Sequence, residues 1–256
     1  MLNKILVIAE GPDDKWLVNR LFETYVKKPV EIVTFSTDIY QLIELYEKTG
    51  EDYNDLDIQT LLLENKKGLS PSDKIKLKNS YTDRFLIFDY DRQASRLLEP
   101  LPLLEKFLIH FHDSTDMGKL YINYPMLESF RHLNKEKLLA NMTDPEFDGR
   151  TFSEDDLRKS IGMKKAAYKT RVSTEGYSGK RFSKTQLDIV ISQNLCKISK
   201  LLNLDIGNIF EQESMIQLLK IQSVNYTEKG KGYVVNTAVT LIPEMYPATF
   251  SFIPCK

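Results

Sequence analysis

The sequence predicts an α/β fold: a Rossmann-like parallel sheet in the first half of the chain, followed by a mostly helical second half. Two observations lead there. Short apolar runs at 4–9, 30–35, 84–88 and 119–122 are bounded by turn residues and alternate with helical patterns, as buried parallel strands joined by crossovers do. Three of these runs end in motifs that carry carboxylates: Glu10-Gly11, Asp89-Tyr90-Asp91, and Asn123-Tyr124-Pro125-Met126-Leu127-Glu128.

Each element has its own cause. Residues 4–9 read as the first strand, with Gly11 turning the chain and Pro12 suited to a first helical position. Trp16, Leu17, Leu21, Phe22 and Tyr25 then recur at helical spacing over 13–26. Val30 to Phe35 is rich in β-branched residues, which favours a strand. Segments 39–48 and 56–64 read as amphipathic helices, and 65–83 as a polar excursion before the third strand at 84–88. A helix is expected over 94–111, broken at Pro102. The fourth strand, 119–122, precedes a helix over 126–141. Further on, 152–160 reads as a helix capped by Ser153, 183–202 as a long helix, and 210–221 as another. Residues 234–242 suit strand or helix, with helix preferred. This divides the chain into a core at 1–145, with an insertion at about 36–83, and a helical, basic region at 146–256.

Hydrophobic content of 42% and charged content of 28% are ordinary for a globular protein. No apolar run is long enough to cross a bilayer, so no membrane association is expected. The N-terminus enters a strand-like run directly, without the pattern of a signal peptide. Cys196 and Cys255 lie far apart without metal-type spacing, and are expected to be reduced thiols in a cytoplasmic protein. The net charge of −1 conceals a segment, 157–186, with nine basic residues against Glu175 alone. It contains Lys159, Lys164, Lys165, Lys169, Arg171, Lys180, Arg181 and Lys184. Such a run can track a phosphodiester backbone, or it can be a solvated loop.

The strand-end acids suggest a metal. In an open α/β sheet ligands bind at the carboxyl edge of the strands, and clustered carboxylates repel unless a cation neutralises them. A hard divalent ion, Mg²⁺ or Mn²⁺, bound through oxygen fits that chemistry. Asp89 and Asp91 are two apart, so an extended chain points them to one side, with Tyr90 to the other. Asp14 and Glu128 sit in first helical turns, where helix-dipole stabilisation is an alternative role. His132 shares a helical face with Glu128 and is a possible accessory group, or a packed histidine. Tyr168 and Tyr177 suit base stacking or simple packing.

Apolar strand, Glu-Gly, helix, then apolar strand and Asp-x-Asp is similar to the Toprim domain of topoisomerases, primases and the OLD-family nucleases. The form Glu10-Gly-x-x-Asp14 looks most like the OLD branch. Asn123-x-Pro-x-x-Glu128 resembles the Asn-Pro-x-x-Glu segment of RloB-like proteins from prokaryotic defence loci, including the stand-alone Toprim effectors of PARIS-type anti-phage systems. The resemblance covers residues 4–135, with a Glu10-to-Asp89 gap longer than a minimal Toprim core needs. No Walker A motif accompanies it.

That resemblance implies a Mg²⁺-dependent endonuclease acting on RNA such as tRNA, or on DNA. Glu10, Asp89 and Asp91 would hold one metal, and Asp14 and Glu128 would complete a second site. Glu10 serves alternatively as general acid or base. Lys164 or Lys165 would stabilise the transition state. Lys159, Lys169, Arg171, Lys180, Arg181 and Lys184 would hold the nucleic acid. The implied partners are a separate ATPase and a second copy of the chain. Two other functions stay open: a catalytically silent Toprim module that regulates an ATPase, and a metal-dependent hydrolase or phosphoryl transferase of small nucleotides.

Overall fold

The computed structural model describes residues 4–27, 30–36, 38–50, 57–90, 100–157, 166–177 and 181–255. The chain forms two compact units, one from 1–23, 27–88 and 94–121, the other from 24–26, 89–93 and 122–256. The two units interleave in sequence, and the long segment of the second starts at 122. Among the described residues no helix is long and apolar enough to cross a membrane.

The fold is α/β. A five-stranded, mostly parallel sheet has the order β2-β1-β3-β5-β4. Its strands are β1 (Ile5–Ala9), β2 (Val30–Thr34), β3 (Asp83–Asp89), β4 (His112–Asp113) and β5 (Gly118–Asn123). Strand β1 is second in this order, inside the sheet, and fully buried. It pairs in parallel with β2, Ala9 opposite Thr34, and with β3, Ala9 opposite Ile87. Its five apolar residues face helices on both sides, which is why no alternation is visible in the run. The short β4 pairs antiparallel with β5 and is too brief to leave a signal.

Helix α1 (Pro12–Leu21) starts at Gly11, with Pro12 at its first position, and passes into a π-helical turn at Phe22–Val26. Between β2 and β3 come α2 (Ile39–Thr49), α3 (Ile58–Asn65) and α4 (Pro71–Leu77). Helix α4 lies within the segment read as a polar excursion. Its start was legible, because Ser70 caps Asp73 N and Pro71 follows. Helix α5 (Pro100–His110) is unbroken at Pro102. The described part of the helix runs through Pro102 to His110, so the expected break does not occur there.

In the second unit the expected helix over 126–141 is replaced by a 3₁₀ helix, Leu127–Arg131, and the short α6 (Lys135–Leu139). The expected helix at 152–160 begins instead as β6 (Thr151–Ser153), which pairs antiparallel with β7 (Lys231–Tyr233). Helix α7 (Glu154–Leu157) then starts with Ser153 and Asp156 exchanging hydrogen bonds. Helices α8 (Ala167–Glu175), α9 (Lys184–Leu202), α10 (Gln212–Lys229) and α11 (Leu241–Met245) complete the unit. Ser183 and Gln186 form a capping box at the start of α9.

The cysteines are not free thiols: Cys196 and Cys255 form a disulfide, with Cα atoms 6.5 Å apart, within the usual span. The tail returns along α9, and Ile253 N donates to Ser192 Oγ at 2.9 Å, one turn before Cys196. Sequence separation of 59 residues hid this proximity.

Gly118 begins β5 with φ +124°, and a Cβ there would lie 2.8 Å from Leu86 Cδ1 and 3.4 Å from Arg84 Cβ. Gly118→Ala is expected to cost about 1–3 kcal/mol. In urea unfolding its midpoint should fall while the slope stays at the parent value. An unchanged midpoint would show that β5 tolerates a side chain there.

Candidate functional site

Glu10 is the first residue after β1, and both neighbours hold its backbone. Its N–H donates to Ile87 O at 3.1 Å, and its carbonyl accepts from Ser36 N at 2.8 Å. The side chain thus leaves the carboxyl edge of the sheet from a backbone position set by β2 and β3. Gly11 N donates to Asp14 Oδ2 at 2.6 Å, closing the start of α1. Asp14 is buried, so this carboxylate has the capping role that its place in the first turn allows.

Asp89 is the last residue of β3, and Tyr90 turns into the second unit, buried 5.1 Å from the ring of Tyr124. Tyr90 is thus packed away, as the alternation predicts. Asp91 lies outside the described residues.

Asn123, 0% exposed, ends β5 and bonds to the end of β3 and to the segment at 238. Its main-chain oxygen accepts from Tyr90 N at 2.8 Å. Its Oδ1 accepts from Ala238 N at 3.2 Å, which leaves Nδ2 as the donor facing Asp89 Oδ1 at 3.4 Å. The amide orientation is thereby fixed by its partners. Ala238 is held in turn by a buried polar network. Thr237 Oγ1 donates to Ile122 O at 2.9 Å, and Asn236 Nδ2 donates to Leu127 O at 2.8 Å and Ser129 Oγ at 3.0 Å. Asn236 N donates to Asn194 Oδ1 at 2.7 Å. Tyr124 and Val235 exchange backbone hydrogen bonds. The 234–242 segment, expected as one element, is instead an extended buttress followed by a 3₁₀ turn at Ala238–Thr240 and α11. Its signal was two polar residues, Asn236 and Thr237, inside an apolar run. Such residues are buried only when hydrogen-bonded.

Glu128 lies in the 3₁₀ helix and pairs with Lys169 Nζ of α8 at 2.6 Å. Its other oxygen, Oε2, is buried without a hydrogen-bond partner. His132 caps the same 3₁₀ helix and is 1% exposed. The 3₁₀ geometry and the chain reversal after it replace the shared α-helical face expected for Glu128 and His132. His132 Nδ1 lies 3.0 Å from Tyr168 Oη, and Nε2 lies 3.3 Å from Glu175 Oε2. Burial, then the charges of Arg150, Arg171 and Lys197, push its pKa down to about 3. The ring is therefore neutral: Nε2 donates to the carboxylate and Nδ1 accepts from Tyr168. The contact with Glu175 is a hydrogen bond, not an ion pair.

The basic segment is less free than its composition implies. Lys169 is engaged by Glu128, Arg171 by Asp156 at 3.0 Å and Thr151 O at 2.6 Å, and Lys184 by Asp188 at 2.9 Å. These acids come from other parts of the chain or the next helical turn, outside the window in which only Glu175 was counted, Asp188 by two residues. Arg181 is exposed. Lys159, Lys164, Lys165 and Lys180 lie outside the described residues. Tyr168 is fully buried against His132 and offers no stacking face, because burial encloses both sides of its ring. Tyr177 packs edge-on against Phe182.

Among the described residues no group of three His, Cys, Asp or Glu side chains is close enough to hold a metal ion. No model of a known family, no curated protein and no solved structure matches the chain.

The buried neutral His132 makes stability depend on pH. Its folded pKa lies below the unfolded value near 6.5, so between these values the unfolded chain binds the extra proton. The His132 contribution is intact above pH 6.5 and is lost as pH falls toward 3. Chemical denaturation from pH 6.5 to 4.5 should show the parent losing stability more steeply than His132→Gln, by up to about 1.4 kcal/mol per pH unit. Parallel slopes would mean that the imidazole is charged or solvated in the fold.

Proposed function

We propose that the chain is a Toprim-type endonuclease dependent on Mg²⁺ or Mn²⁺, acting on RNA such as tRNA, with DNA as the other polymer, in anti-phage defence. One observation carries this reading. Glu10 leaves the inner strand β1, and the neighbouring parallel strand β3, in the register Ala9 opposite Ile87, ends in Asp89. Two acids thus follow adjacent parallel strands at their carboxyl ends, where α/β sheets bind ligands.

The donor set fits a hard cation, since Glu10, Asp89 and Asp91 offer oxygen only. When bound, the metal would lower the pKa of water and offset charge on the phosphate. The protein's own contribution is positional. Backbone bonds on both sides hold Glu10, and the Asn123 amide donates to Asp89, orienting the carboxylate. Glu10 would then act as ligand or as proton acceptor from the attacking water. The capping role of Asp14 and the Glu128–Lys169 pair favour a first metal held by Glu10, Asp89 and Asp91 over a second held by Asp14 and Glu128. In this reading Lys164 or Lys165 supplies transition-state charge, and a separate ATPase and a second copy are the partners. A cytoplasmic setting also belongs to it.

The Glu128–Lys169 pair also favours the second reading, a silent module docking on an ATPase, because it engages one acid of the third motif internally.

Purified protein incubated with bulk tRNA and supercoiled plasmid in Mg²⁺ or Mn²⁺ tests the proposal. The parent should cut one of them, chelation with EDTA should stop it, and Asp89→Asn should fall at least about 100-fold while unfolding at the parent temperature. Full activity in Asp89→Asn would remove Asp89 from the chemistry. Absence of cutting by the parent with a purified ATPase partner present would favour the silent module.

A further inference from the structure

The first unit contains a cleft of about 350 Å³ that the strand-end acids do not use. Its floor is Phe35, the residue after β2. One wall is the outer face of α2, with Glu44 and Lys48, and the other is the tail of α3, with Lys66 and Lys67. Phe35 N donates to Ala9 O at 2.7 Å, and the next amide, Ser36 N, donates to Glu10 O. The cleft therefore opens at the carboxyl edge of the sheet, one strand from Glu10.

Its charge is unbalanced. Glu44 is answered by Lys48 at 3.7 Å. Among the described residues neither Lys66 nor Lys67 has an acid within ion-pair distance; Asp38, the nearest acid to influence Lys66, spends its carboxylate on capping α2 through Gln41. Lys66 Nζ instead lies over the Phe35 ring, 4.3 Å from its centroid. Partial burial lowers its pKa, and an entering oxyanion would offset that cost to its charge. A lysine needed only to offset the helix end would face the α3 carbonyls.

The floor excludes base recognition. Phe35 is buried and packed against Phe88 at 5.9 Å, and its upper side is covered by Lys66. No ring face is left for stacking. The volume lies at the lower end of small-molecule sites, roughly 300–1,000 Å³.

We infer that the cleft formed by Phe35, Lys48, Lys66 and Lys67 is a phosphate-group subsite, read by charge and not by base. Its assignment to a nucleic-acid backbone rests on the proposed function; its selectivity for phosphate oxyanions rests on this cleft alone. A phosphate held there would be flanked by the strand end that carries Glu10.

The test uses the full chain in EDTA, so that no cleavage intervenes. Binding of fluorescein-labelled single-stranded 20-mers, RNA and DNA, is followed by anisotropy, and binding of inorganic pyrophosphate by calorimetry. Lys66→Gln/Lys67→Gln is compared with Lys229→Gln/Lys231→Gln, which removes the same charge from exposed positions in the second unit. The cleft variant should bind about tenfold more weakly, with the slope of log K against log salt reduced by about 1.5 for two lost phosphate contacts. The distant variant should lose less than about twofold. Loss for the oligonucleotide identifies a polymer backbone as the source; loss for pyrophosphate alone identifies a free phosphate or small nucleotide. Equal loss in both variants, or none in either, overturns the subsite. As a second readout on the parent, pyrophosphate should protect Lys66 and Lys67 from acetylation more than Lys229 and Lys231, and equal labelling would also overturn it. Cleft-dependent binding in a parent that cuts nothing would sink the nuclease and keep the subsite. Cutting with an unaffected cleft variant would do the reverse.

Discussion

The first unit depends on the need of a fully buried strand to satisfy its backbone on both edges. Strand β1 has no exposed residue, and an unpaired buried peptide group costs about as much as a lost hydrogen bond. Strands β2 and β3 must therefore flank it in parallel register. The same ladder continues one residue further, to Glu10, whose amide and carbonyl use Ile87 and Ser36. Glu10 is thus placed by the sheet and not by a loop. Ser36, bonded to Glu10, also carries the chain from the floor of the lysine cleft. The acid and the floor of the cleft share one cause of position.

The second unit is organised by buried polar groups. Asn123, Asn194, Ser129, Asn236 and Thr237 form a connected network with backbone partners. Removing one member would leave others unsatisfied, at about 1–3 kcal/mol each. Around His132 a second network joins Tyr168, Glu175, Arg150 and Asp144; Arg150 reaches both His132 O and the Asp144 carboxylate. The cations of 157–186 that are described, Arg181 excepted, spend their charge on such internal partners. Local composition overstated the positive field because the opposing acids lie outside the counted window.

What was legible in the sequence was local. The strands β1, β3 and β5 hold continuous apolar runs, β2 is rich in β-branched residues, and the Ser183 cap announces α9. The boundary of β3 at Asp89 follows from the abrupt end of its run. What was illegible depended on distant partners. Ser129 and Leu127 are held by Asn236, more than 100 residues on, and the segment settles as a 3₁₀ helix. Tyr168 sits among lysines in sequence but under His132 in space. The Cys196–Cys255 pair belongs to the same class. Pro102 was misread as a break, although α5 continues through it to His110.

The bond between Asn123 Oδ1 and Ala238 N spans 115 residues. A ribosome adding about 5–20 residues per second needs roughly 6–23 s to make that stretch. Until residue 238 has been made, the Asn123 amide lacks the donor that fixes which of its ends faces Asp89. Prematurely terminated products ending before it would have every acid of the three motifs and lack this bond. The molecule thus has a built-in delay between the synthesis of its acidic groups and the closing of the Asn123 contact that faces one of them.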